Sequence, residues 1–312
     1  SIQYMADIIR HLPQMRGYDV VQVTNPVFFD LRPEKNWAIF KYLKKHNKKI
    51  FLDALAIDHY YVKACLDGKT FRYSDFFVGD RPLPHPEREK MLAAWIGGPN
   101  ERPNIEMAQE ANGIIACLYE YYAAYQPEYA DKLAYIPIPI DLSINPFHPI
   151  KSTPEVVKFF IGIQQHRTAI KGTDILLDVL REIHDKYPRE SHIQKVVSVP
   201  FDEYNKLLVD CHILLDQLYS YTPATNALAA MARGIIAVSG AEPEFYNFIG
   251  EQKLRPIINV LPDRNDIFKQ LENLIIHRDQ LPRLSTESRQ FVEKYHDHVK
   301  VARQYLEFWE KH

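Results

Sequence analysis

Short apolar runs alternate with amphipathic stretches along most of this chain, and Gly, Pro, Asn and Asp punctuate them. Runs too short for a helix and apolar throughout read as strands buried on both faces. Residues 211–215 are such a run. Residues 217–224 hold Ser, Thr and Pro without periodicity and read as a loop. Thr225 is a capping type for a helix over 226–232, Gly234 stands where a left-handed residue ends it, and 235–238 form the next strand. Strand, crossover helix and strand predict a parallel β-α-β unit with the helix N-terminus at the carboxyl edge of the sheet. The free N–H groups and partial positive charge there suit a phosphate.

A second unit of this kind lies upstream. Residues 156–163 read as a strand with Gly162 at its end, and 164–172 as a loop carrying Arg167 and Lys171. Thr173 is expected to cap a helix over 174–186. Two cations between a strand end and a helix N-terminus fit a diphosphate clamp. The alternative is a pair of solvated loop charges; the Gly-x4-Arg-x3-Lys-Gly spacing favours the clamp.

Further strands are predicted over 193–199 and 257–260, and helices over 201–210, 243–249 and 263–277. This alternation predicts a doubly wound parallel sheet. Terminal helices follow over 284–295 and 299–311, with Phe308 and Trp309 as expected anchors. The first half reads as an amphipathic helix over 1–12, strands over 19–24, 49–52, 113–117 and 133–136, and helices over 37–45, 87–96, 105–111 and 118–129. Residues 69–86 are aromatic and Pro-rich, a long ordered loop that serves either an acceptor wall or the core. The Pro-rich stretch 136–149 is the expected boundary, giving domains 1–148 and 149–283 and a terminal segment 284–312.

Composition narrows the class. At 312 residues one large or two medium domains are expected, and 46% hydrophobic content is ample for packed cores. A net charge of −2 argues against nucleic-acid binding. Cys65, Cys117 and Cys211 are sparse and lack metal spacing, which fits a reducing cytoplasm. No apolar run is long enough to span a bilayer, and no signal peptide is evident. Lys44, Lys45, Lys48 and Lys49 read as a solvated face or as a patch for peripheral contact with an anionic inner membrane face. No Asp-x-Asp occurs, so no metal is expected at a diphosphate, and His296-Asp297-His298 reads as a turn between helices.

Gly162, Arg167, Lys171 and Gly172, followed by Ala230-Met231-Ala232-Arg233-Gly234 and Pro243-Glu244, carry a resemblance. Together they resemble a GT-B glycosyltransferase of the large retaining family 4 type, which includes sucrose synthases and bacterial capsule transferases. The resemblance covers most of 150–280 and is general before that. It implies two Rossmann-like domains facing across a cleft, with terminal helices crossing back to the first. It also implies a cytoplasmic bacterial transferase of polysaccharide biosynthesis. The donor would be a nucleotide-diphosphate sugar, the acceptor a glycan or lipid-linked glycan, and no cofactor is needed. Ile136-Pro137-Ile138-Pro139-Ile140-Asp141 is similar to the family's hinge, with Ile-Pro in place of Asn-Gly. The opening strand and Gly-rich turn of such a fold are not found, so a first strand–helix unit is expected to lie outside this chain, or the branch is shortened.

The family's Glu-x7-Glu element falls on Tyr221 and Ala229, and neither is acidic. In the family the second Glu holds the ribose hydroxyls and the first sits at the donor sugar. Each lost bond to an ionised group costs about 1.5–3 kcal/mol. Glu242 and Glu244 are the nearest carboxylates in sequence. The family often places an acceptor-side His or Asp in a loop such as 53–61, which makes Asp58 and His59 candidates for handling an acceptor hydroxyl. The alternative is a buried His packed among Tyr60 and Tyr61. Two functions compete, with a GT-B epimerase or phosphorylase as a weaker third. One is a retaining transferase whose donor diphosphate lies on Arg167, Lys171 and the N–H groups near Thr225 and Asn226. The other, favoured by Tyr221 and Ala229, is a weakened or inactive binding or assembly module.

Overall fold

The computed structural model describes residues 2–83 and 87–312. Eleven strands lie among them: β1 (Val20–Val23), β2 (Lys49–Ala54), β3 (Phe77–Val78), β4 (Arg81–Pro82), β5 (Gly113–Ala116), β6 (Leu133–Tyr135), β7 (Val157–Ile163), β8 (Ser191–Val197), β9 (Ile213–Leu215), β10 (Ile236–Ser239) and β11 (Ile258–Asn259). Residues 2–71, 87–137 and 303–312 form one unit, and 72–83 with 138–302 form a second. No helix among the described residues is long and apolar enough to cross a membrane.

The first unit is built on a parallel sheet in the order β1-β2-β5-β6. Its central strands are apolar and buried, as a parallel sheet covered on both faces requires. The strand expected over 49–52 runs on to Ala54, which places Asp53 inside the sheet at 1% exposure. Gln22 donates to one Asp53 oxygen at 2.7 Å, and the other oxygen has no partner among the described residues. Burial pushes this carboxyl up to about 7, against the Gln22 bond. The chain end belongs to this unit: the Phe308 ring lies 5.6 Å from Phe51, and Trp309 donates to Gln22 at 3.1 Å. The helix expected over 37–45 starts earlier, at Pro33, because a proline fits the first helical position.

The second unit holds five parallel strands in the order β11-β10-β9-β7-β8. Phe159 and Ile161 of β7, Ile213 and Leu215 of β9, and Ile236 and Val238 of β10 form its core with Leu176, Leu180 and Ile183 of the helix Thr173–Lys186. The spacing of those three helix residues is the apolar stripe that a sheet-packed helix needs. By chain order β7 lies between the second and third strands of the sheet, so the winding reverses between β7 and β9. Ligand crevices in open parallel sheets lie outside the carboxyl ends at such a reversal.

Local chemistry explains the departures from expectation. Residues 164–172 are not a plain loop but two helical turns, Gln165–Arg167 and Thr168–Lys171. Gly172, at φ +67°, ends the second turn and is itself the N-cap of the next helix. Thr173 is therefore already helical and caps nothing; its hydroxyl is buried without a partner among the described residues. Likewise Ala224 is the N-cap of the helix Thr225–Ala232, and Thr225 is its exposed first residue. Gly234 does end that helix, at φ +87°, with Ile235 N–H donating to Ala230 O and Gly234 N–H to Met231 O at 3.0 Å each. The stretch 69–86 contains the antiparallel pair β3–β4, and its last residues, 84–86, lie outside the described residues.

Candidate functional site

Lys171, Asp216, Asn226 and Tyr204 meet at the reversal between β7 and β9. Lys171 closes the turn after β7, Asp216 follows β9, and Asn226 is the second residue of the helix Thr225–Ala232. The Tyr204 hydroxyl donates to Asn226 Oδ1 at 3.0 Å, Asn226 Nδ2 donates to Asp216 Oδ1 at 2.9 Å, and Lys171 Nζ lies 3.5 Å from that same oxygen. Asp216 is 2% exposed, and its second oxygen has no partner among the described residues. Burial raises the Tyr204 phenol to about 12, so it remains a donor. A Cβ on Gly162 would meet the Tyr204 ring at 2.6 Å, so Gly162 is the gap that lets this tyrosine reach Asn226. Arg167 is exposed beside the same turn, and Gln165 N–H donates to the hydroxyl of Ser198, which takes a left-handed φ of 46°.

A second polar cluster sits at the carboxyl ends of β10 and β11. Glu242, 2% exposed, accepts from Arg72 Nη2 at 2.5 Å, from the Tyr73 hydroxyl at 2.6 Å and from Asn259 Nδ2 at 3.0 Å. Arg72 also lies 3.2 Å from Glu244, and its guanidinium stands 5.6 Å from the centre of the Tyr221 ring. The Tyr221 hydroxyl accepts the Arg72 N–H at 2.6 Å, and the Tyr73 and Tyr221 rings stack at 4.9 Å. Burial, and then the Glu242 carboxylate, push the Tyr73 phenol far up. Gly240 is required here, since a Cβ would come within 1.7 Å of the Ser220 carbonyl oxygen. Glu242 is therefore a carboxylate already bound by this chain's own donors. Ala229, half-buried, offers no polar group.

Solved structures share this architecture. Sucrose-phosphate synthase from Thermosynechococcus elongatus superposes with a TM-score of 0.60 at 12% identity, over 99% of this chain and 76% of that one. Anabaena HepE, in complex with UDP and glucose, gives a TM-score of 0.59 at 12% identity, over 98% of this chain and 81% of its own. TarM from S. aureus gives 0.56 at 14% identity, over 88% of this chain and 59% of its own. The fold is GT-B. No family model matches the sequence, and no curated protein matches it either. At these identities the likeness is one of GT-B architecture. The two clusters thus lie in the second GT-B unit, on the edge where its topology puts ligands.

In the first unit Asp58 and His59 follow the buried alternative. Asp58 is fully buried and caps the helix His59–Leu66, accepting from Tyr61 N–H at 2.9 Å and from the Tyr125 hydroxyl at 2.7 Å. Burial, opposed by these bonds, raises its carboxyl to about 6. His59 Nδ1 is 2.9 Å from the Trp95 carbonyl, its N–H donates to Asn104, and its ring meets Tyr60 edge-on. Asp58 and His59 Nδ1 are thus bonded inside the unit, the bond to Asn104 coming from the His59 backbone N–H. The lysine run forms surface pairs, as a solvated face does: Lys44 pairs with Glu110, and Lys48 lies 2.5 Å from Asp19, both of them exposed, while Lys49 donates to the Trp309 carbonyl at 2.6 Å. His296 is buried with Nδ1 2.9 Å from the Ile138 carbonyl. Among the described residues no three His, Cys, Asp or Glu converge as metal ligands.

Proposed function

We propose that the second unit binds the diphosphate of a nucleotide-sugar donor at the β7/β9 reversal and that the chain transfers the sugar, with retention, to a glycan or lipid-linked acceptor. The observation that carries this reading is the convergence there of Lys171, positioned beside Asp216, and a helix N-terminus whose Asn226 side chain is fixed by the same carboxylate. Arg167 and Lys171 would hold the phosphate oxygens, joined by the N–H groups at Thr225 and Asn226 in the first turn of the helix. These groups would stabilise charge on the departing nucleoside diphosphate, without a metal.

A second reading is a binding module that does not turn over. Tyr221 and Ala229, where carboxylates are expected, favour it, and so does the engagement of Glu242 by Arg72 and Tyr73. Release of UDP from UDP-glucose, followed with and without glycan acceptors, separates the two. A transferase gives turnover, and Lys171→Ala lowers kcat/KM about ten- to hundredfold, the equivalent of one charge-assisted bond. A chain that binds UDP but releases none from any donor is the module.

A further inference from the structure

Glu242 is buried, yet most of its bonds come from far along the chain. Asn259 is a fixed neighbour on the adjacent strand β11. Arg72 and Tyr73, by contrast, are the first residues of a segment that belongs to the second unit although the chain on both sides of it belongs to the first. The segment carries the β3–β4 hairpin, and Val78 and Leu83 rest on the second unit's core. Its hold at the Glu242 end is both aromatic and polar: the Tyr73 ring, 4% exposed, stacks on Tyr221, and the Arg72 guanidinium remains 57% exposed while reaching a carboxylate that is 2% exposed. Next to this hold, the hydroxyls of Ser220 and Ser239, both more than nine-tenths buried, have no partner among the described residues. The site therefore has more hydrogen-bonding capacity than the segment uses.

We propose that residues 72–83 are a strap standing in for ligand hydroxyls. In this arrangement the Tyr73 hydroxyl and the Arg72 guanidinium donate to Glu242 where the hydroxyl groups of a donor sugar would donate. A hydroxylated ligand and the strap then compete for one carboxylate, and binding the sugar releases the strap. This rests on the donor-binding reading above. The chemistry is symmetrical: a phenol hydroxyl and a sugar hydroxyl offer a carboxylate the same O–H donor. The phosphate side, at Lys171, is not involved in the exchange, so the nucleoside diphosphate alone leaves the strap in place.

Hydrogen exchange on the full chain, with UDP or UDP-glucose as the probe, tests the proposal. UDP-glucose is expected to speed exchange of residues 72–83 about tenfold, and UDP alone to leave it unchanged. Tyr73→Phe removes one competing donor and is expected to tighten UDP-glucose about threefold or more while leaving UDP affinity unaltered. Bound UDP-glucose with unchanged or slower strap exchange overturns the competition, as does weaker UDP-glucose binding by Tyr73→Phe. If neither of these binds, and neither GDP-glucose nor ADP-glucose binds in their place, the donor reading fails and release by a donor sugar fails with it. The latch itself is then decided by Glu242→Gln: faster exchange over 72–83 supports it, and unchanged exchange overturns it.

Discussion

Asp58 shows how one residue's surroundings decide between chemistry and support. An acid beside a His and two Tyr, just past a strand, has the composition of an active-site loop. Its two oxygens instead accept from Tyr61 N–H and the Tyr125 hydroxyl. Asp58→Ala is therefore expected to lower stability by about 1–3 kcal/mol in urea unfolding, through loss of a cap and exposure of two unsatisfied donors. Unchanged stability with lost transfer would return the residue to catalysis. At this scale motif spacing singled out Lys171 and the helix start singled out the Asn226 N–H, whereas in the structure it is the Asn226 side chain that meets Asp216 beside Lys171. Asp216, Tyr204, Arg72 and Tyr73 escaped both signals, because their partners are remote in the chain. Asp216 left one usable signal: an acidic side chain directly after a buried strand, on the edge where ligands bind. Thr173 and Thr225 were misread as caps because a glycine and an alanine one residue earlier already take that position.

Elements were legible where burial leaves a simple pattern. Most strands of both parallel sheets are short, apolar runs bounded by turn residues, whereas the edge strand β8 is half polar and begins at Ser191, two residues before the expected start; the helix Thr225–Ala232 ends at its glycine as the sequence implies. The β3–β4 hairpin was not legible: each strand has two residues, and Arg81-Pro82 carries no alternation. Nor were the helical turns Gln165–Arg167 and Thr168–Lys171, too short to show a period. The closest approach between site loops is Gly240 against Ser220. A methyl group there meets backbone, which cannot rotate away, so Gly240→Ala is expected to cost about 3 kcal/mol or more. Thermal melting should show a large fall for this variant. Unchanged melting would mean that the loops carrying Ser220 and Glu242 do not pack as described.

For the whole molecule, the alternation of strands and helices specified a doubly wound α/β protein, and similarity to solved GT-B structures agrees. What no periodicity shows is that 72–83 and 303–312 each belong to the unit opposite their neighbours in sequence. Asp53 gives the molecule a pH dependence. Its folded pKa of about 7 lies above the ordinary 3.8, so the stability gained from its neutral form is complete at low pH and is lost as pH rises toward 7. Asp53→Asn is expected to gain on the wild type by roughly 2–4 kcal/mol between about pH 4 and pH 7.5, read as a widening gap in melting temperature. A constant gap would contradict the buried-acid account. The central claim is a diphosphate site at the β7/β9 reversal, and the most direct measurement is calorimetric titration of UDP, GDP and ADP into the full chain and into Lys171→Ala. The account predicts one saturable site for at least one of the three nucleotides, weakened by about 1.5–3 kcal/mol in the variant. No binding of any nucleotide, or equal binding by both proteins, would contradict it.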